Sequence, residues 1–176
     1  MKLNLFIKID NEMIPAEHIT KEHKYYDDWY YMSGAIELIN SDGIVMLNKE
    51  NEIDVIPVFR EFLLTIHQYK QIFDLYFDEW EMREKLCAKT GLYYPHTPTM
   101  IFSHMNDVFM ELSLSASHEE FMNTSLVEEI PTFYQELKRT TDNFAKALEF
   151  MFGDDANLKS FLPMQKWMDN IMKQIE

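Results

Sequence analysis

The chain has 176 residues, 47% of them hydrophobic, and carries a formal net charge of −14 from 30 Asp+Glu against 16 Lys+Arg. That length suits one domain burying roughly 70% of its unfolded surface, and an aromatic content of 14% excludes a disordered chain, because disorder needs low hydrophobicity as well as charge. The acidity argues against phosphate-rich and anionic partners, nucleic acid and membrane alike, and in favour of a basic protein.

KLNLFIKID opens an alternating pattern with Leu3, Leu5, Ile7 and Ile9 on one side, which predicts a half-buried strand over 2–10. Two further strands, over 28–40 and 44–49, flank Ser41, Asp42 and Gly43; Asp-Gly between β-prone runs is a hairpin signal because glycine accepts positive φ. From Asp54 the period changes. Val55, Phe59, Phe62, Leu63 and Ile66 recur at three and four, the stripe of an amphipathic helix with Asp54 as N-cap and Pro57 tolerated in the first turn. FDLYFDEWE, residues 73–81, fits either period. The absence of Gly or Pro between Pro57 and Gly91, and the helix formers of EWEMREKLCAK, favour one helix running through it to Gly91 as its C′ residue.

After Pro95 and Pro98, strands are expected over 99–103 and 107–115, joined at 104–107, with Val108, Met110, Leu112 and Leu114 on one face. Ser125 followed by Glu128 has the form of a capping box, and Ile130, Phe133, Leu137, Phe144, Leu148 and Phe152 continue the stripe of a helix ended by Gly153. A last amphipathic segment carries Met164, Trp167, Met168, Ile171, Met172 and Ile175. The expected class is α+β: an antiparallel sheet of about five strands with two or three amphipathic helices on one face, in a single domain over 1–176 to which 154–176 is appended. No internal repeat is visible, and the longest apolar runs are too short and too interrupted by charge to span a membrane.

Chemistry-bearing patterns are sparse. None of the six histidines has the helical i, i+4 partner of an HExxH zinc site, so neither metal nor cofactor is expected. Cys87, the single cysteine, has lysines at 85 and 89 but no identifiable histidine, and reads as a small buried hydrophobe on a helix. It cannot form an intramolecular disulfide, and the N-terminus lacks a signal-peptide core, which points to the cytoplasm. No G-x-S-x-G elbow is present. The adjacent carboxylates Glu119/Glu120, Glu128/Glu129 and Asp154/Asp155 point apart in regular structure, and read as caps and surface charges rather than acid/base pairs. What remains is a candidate docking ridge: on a helix, Asp74, Asp78 and Glu81 stack at i, i+4, i+7 beside Tyr76 and Trp80, a composition suited to a basic, partly apolar surface. The alternative is a solvated helix face. Methionines at 164, 168 and 172 suit either an adaptable binding face or ordinary core packing.

The order of elements and the wording W..SG.I.L...DG.......ID.....FREFL, carried by Trp29, Gly34, Asp42-Gly43, Phe59, Phe62 and Leu63, resembles small bacterial proteins that include immunity partners of polymorphic toxins. The likeness covers about the first half of the chain and transfers no functional residue. It implies a non-enzymatic, acidic immunity protein sitting over the active site of a basic toxin such as a nuclease. Two other classes are compatible with the sequence: a phage or mobile-element inhibitor that mimics nucleic acid, which requires regularly spaced surface carboxylates, and a small enzyme, which requires a pocket with convergent polar groups.

Overall fold

The computed structural model describes residues 1–24, 31–50, 52–75, 87–91, 99–106, 108–115 and 124–152, with single helical positions at 166, 170 and 173. Strand β1 (Lys2–Ile9) turns back into β2 (Glu12–Pro15) through Asp10 and Asn11, both at positive φ (50° and 67°), with Ile9 opposite Glu12. This is the two-residue hairpin in which Asn and Asp stand in for glycine. A 3-10 turn follows at Ala16–His18. Strand β3 (Ser33–Ile39) pairs antiparallel with β1, and on its other side with β4 (Val45–Leu47) and β5 (Ile53–Asp54). The β3–β4 turn is the expected one, with Gly43 at φ 82° and Asn40 capping Ile44 through its side chain at 2.8 Å.

Helix α1 spans Val55–Leu75. It starts where the period changes, and Val55, Ile56, Val58, Phe59, Phe62, Leu63 and Ile66 are buried. Strands β6 (Cys87–Gly91), β7 (Thr99–His104), β8 (Phe109–Ser115) and β9 (Thr124–Glu129) form a second antiparallel sheet in that order, and α2 (Ile130–Phe152) follows directly. The class is therefore α+β with antiparallel sheets and two amphipathic helices. The first sheet has five strands and the strands at 99–104 and 109–115 belong to the second rather than extending the first.

Two segments differ in kind from the sequence reading, beyond shifts of a few residues at strand ends. Residues 87–91 are not the end of a helix but the edge strand β6, paired from Cys87↔Ser103 to Gly91↔Thr99; tertiary pairing overrides the helix propensity of Lys and Ala. Ser125 and Glu128 are not a capping box either. Both lie in β9, opposite Ser113 and Met110, and the helix begins only at Ile130, with Pro131 in its first turn as Pro57 is in that of α1.

The two sheets are built alike, a repetition the residues themselves do not display. In each, a helix follows directly on a strand lying beside a central strand: β5 beside β3, β9 beside β8. The first N–H of the helix then reaches the carbonyl of the residue preceding that central strand, Val55 to Met32 and Ile130 to Val108, both at 2.9 Å. Helix α1 packs on β6 and β7 of the second sheet as well as on β3, and α2 packs on β1 and the 3-10 turn. One core results. Phe102 of β7 meets Phe62 of α1 edge-on at 5.7 Å and Phe133 of α2 at 5.9 Å, while Phe59 meets Phe144 at 5.6 Å.

Polar side chains fasten α2 along the part of β1 whose β2-side edge has no partner strand among the described residues. Strand β2 pairs only with Phe6–Ile9, and the backbone of Leu3 is satisfied by α2 instead: its N–H donates to Glu136 at 3.3 Å, and its carbonyl accepts from Arg139 at 2.8 Å and from Thr140. Arg139 also holds Glu136 at 2.9 Å and Glu17 of the 3-10 turn at 3.1 Å. Such charge-assisted bonds to otherwise open backbone groups contribute more by preventing unpaired polar atoms than by their own attraction.

A smaller ion pair has a testable pH signature. Lys8 lies 2.6 Å from Glu52, and its hydrogen bond, supported by one from Ser33, holds the Glu52 carboxyl below its ordinary value. Stability from a depressed carboxylate is complete above the unfolded pKa near 4.3 and is lost as pH falls through the folded value. With 29% and 44% of the two side chains exposed, screening keeps the pair to a few tenths of a kcal/mol. Glu52→Gln is thus expected to cost about 0.2–0.5 kcal/mol at pH 7, read by urea titration. The difference from the parent protein should begin to shrink as the pH falls through the unfolded value and vanish once it is below the depressed folded one.

Candidate functional site

The ridge expected from the sequence begins in described structure and leaves it. Asp74 belongs to the last turn of α1, so the stretch starts as helix; Tyr76, Asp78, Trp80 and Glu81 lie outside the described residues. So does most of the last amphipathic segment. Lys166, Asn170 and Lys173 are helical and exposed, the spacing of a polar face.

The surface that stands out is the outer face of the second sheet. Alternation along β8 and β9 turns Met110, Leu112, Leu126 and Glu128 to the interior, with exposures of 0–4%. Phe109, Glu111 and Ser113, and Ser125, Val127 and Glu129, face the other way. Cross-strand register places Phe109 opposite Glu129 and Glu111 opposite Val127. Two apolar side chains therefore sit on one diagonal and two carboxylates on the other. Phe109 is 36% exposed and Val127 48%; Val108 (50%) and Met105 (45%) extend the apolar area into the β7–β8 turn. Val108, expected on the buried face with Met110 and Leu112, instead precedes the strand, where its carbonyl receives the first N–H of α2.

Glu128, 4% exposed, shows why this face has its orientation. It accepts hydrogen bonds from the Ser41 N–H at 2.9 Å and the Ser41 hydroxyl at 2.6 Å, with the Met1 amino group at 3.7 Å. It is neither a cap nor a surface charge: it ties β9 to the β3–β4 turn of the first sheet. A buried, paired carboxylate on one side of β9 forces its neighbours Val127 and Glu129 to the other.

Little else in the described structure has the makings of a reaction site. A cleft between β1, the 3-10 turn and α2 has a volume of about 10 Å³, room for about one water, and its polar lining, Glu17, Arg139 and Thr140, is engaged in the fastening described above. His67 Nδ1 is buried without a hydrogen-bond partner. Among the described residues no three His, Cys, Asp or Glu side chains converge to hold a metal ion, and no helix is long and apolar enough to cross a membrane. The arrangement can dock a protein surface through mixed apolar and acidic contacts.

The sequence reading missed this face. In VFMELSLS the polar positions Glu111 and Ser113 place Phe109 among them, an aromatic residue on a solvent face, but the unbroken Val-Phe-Met run hides it. Val127 is hidden by the capping box that Ser125 and Glu128 suggest. In comparisons with protein-family models, curated proteins and solved structures, no match to the chain was found.

Proposed function

We propose that this chain is a non-enzymatic protein-binding module that neutralises a basic protein by direct contact, in the manner of an acidic immunity protein acting on a toxin such as a nuclease in the cytoplasm. The observation that carries the reading is the combination of a net charge of −14 with an exposed patch on which apolar side chains alternate with carboxylates. Interfaces of this kind use apolar contacts for lifetime and charge for encounter and choice of partner. A nuclease is basic where it holds phosphate, and an acidic blocker meets it at electrostatically steered rates.

The test is capture at low ionic strength from the native host with the tagged full chain. The expected result is one basic protein held at one-to-one stoichiometry, released by salt, and inhibited in its own activity when bound. A captured partner of neutral or acidic character, or substrate turnover by the chain itself, would contradict the reading.

A further inference from the structure

The edges of the two sheets are not equally protected. Strand β2 has four residues and ends in Pro15, and β4 and β5 have three and two; β6 carries Lys89 and Gly91, and α1 packs against it. Short edges, prolines, lysines and covering helices are the devices that keep a sheet from pairing with foreign strands. Strand β9 has six residues, TSLVEE, with no proline or lysine, and its inward-pointing charge, Glu128, is paired with Ser41. It ends the second sheet, and among the described residues no backbone pairs with its outer edge.

We infer that β9 is a strand-addition site: an extended, basic segment of a partner protein pairs along its outer edge and sets a Lys or Arg beside Glu129 and, two positions along on the same face, an apolar side chain beside Val127, with Glu111 one strand further in adding to the acidic field. The inference rests on the basic-partner reading and specifies how that partner is held. Backbone pairing supplies affinity in such additions, and the alternating side chains supply choice. Charge selects this occupant over a second copy of the chain. Two copies would each bring −14 and the same Glu129 to the contact, whereas a basic segment sets opposite charge beside it.

The test uses the full chain and a synthetic probe with the repeat Lys-Thr-Val-Thr, so that Lys and Val alternate along one face, prepared in two backbone-methylated forms, one with the odd amides blocked and one with the even. Successive amides of a strand point to opposite edges, so one methylated form must lose at least about tenfold in affinity while the other binds like the parent probe. Hydrogen exchange should slow at 124–129 on binding and remain unchanged in β2 and β4. Glu111→Lys with Glu129→Lys, both on the solvent face, should weaken the probe about tenfold or more while leaving the melting temperature in place. Sedimentation should give a monomer. Equal behaviour of the two methylated probes, protection outside β9, or a dimer paired through β9 each overturns the inference. If the probe binds by charge but both methylated forms bind alike, strand addition fails while the basic-partner reading stands. If charge reversal has no effect either, both fail.

Discussion

Phe102→Ala is expected to destabilise the protein by about 3–5 kcal/mol, the range for emptying a fully buried aromatic site. The position explains why the upper part of that range applies. Phe102 has no exposed surface and its ring touches both helices, Phe62 edge-on at 5.7 Å and Phe133 at 5.9 Å, so truncation removes two edge-to-face contacts along with the buried area. Neither helix can collapse into the space without leaving the sheet to which it is fastened. For a chain of this size each kcal/mol moves the melting temperature by about 2–4 °C, so a drop of about 10 °C or more should appear in a thermal melt followed by circular dichroism. Ser103→Ala, on the opposite face of the same strand, should stay within about 0.5 kcal/mol. Equal effects at 102 and 103 would mean that the sheet is not packed as described.

Gly34→Ala should cost about 3 kcal/mol or more, although Gly→Ala in a conformation open to alanine normally stabilises by about 0.4–1 kcal/mol. The reason is contact, not dihedral strain. A Cβ at Gly34 would stand 2.2 Å from the Phe6 carbonyl oxygen and 3.1 Å from Val55 Cβ. The first is backbone of the neighbouring strand, where Gly34 pairs with Ile7, and cannot swing aside as a side chain would. The β1–β3 ladder must open at the point where α1 begins. Gly43→Ala provides the contrast: its Cβ would meet nothing within 4 Å, but φ is +82°, so only the left-handed backbone penalty of about 1–2 kcal/mol applies. Urea titration of the two variants separates the mechanisms. A Gly34→Ala protein as stable as its parent would contradict the close approach of β1, β3 and α1.

Much of this architecture was legible because local pattern and tertiary role coincide. The alternation of Leu3 to Ile9, the Asp42-Gly43 turn and the three-and-four spacing from Val55 each state a period and a buried face at once. Where they diverge, the sequence misleads. Ser125-x-x-Glu128 has the form of a capping box, but Glu128 is claimed by Ser41, 87 residues away in sequence, and that contact keeps the segment extended until Pro131 can open a helix. Residues 87–91 contain good helix formers and become a strand because β7 offers them an edge. The division into two sheets rests on which strands meet across the chain, and no local period encodes that. Of the acidic candidates, the ridge expected at 74–81 follows from spacing alone and lies mostly outside the described residues, whereas the β8–β9 face required the register that sets Phe109 against Glu129.

The central claim is that exposed carboxylates bring a basic protein to this chain, and the association rate with the captured partner tests it most directly. The rate should be followed from about 50 mM to about 500 mM salt, over which the Debye length shortens from about 14 Å to about 4 Å. The account predicts a steep fall in the on-rate with an almost constant off-rate. Glu111→Lys with Glu129→Lys should flatten that slope, and Asp74→Lys with Asp78→Lys run in parallel should show whether the ridge at 74–81 shares in the steering. An on-rate indifferent to salt and to both charge reversals would contradict the account, and would leave the acidity of the chain a matter of solubility alone.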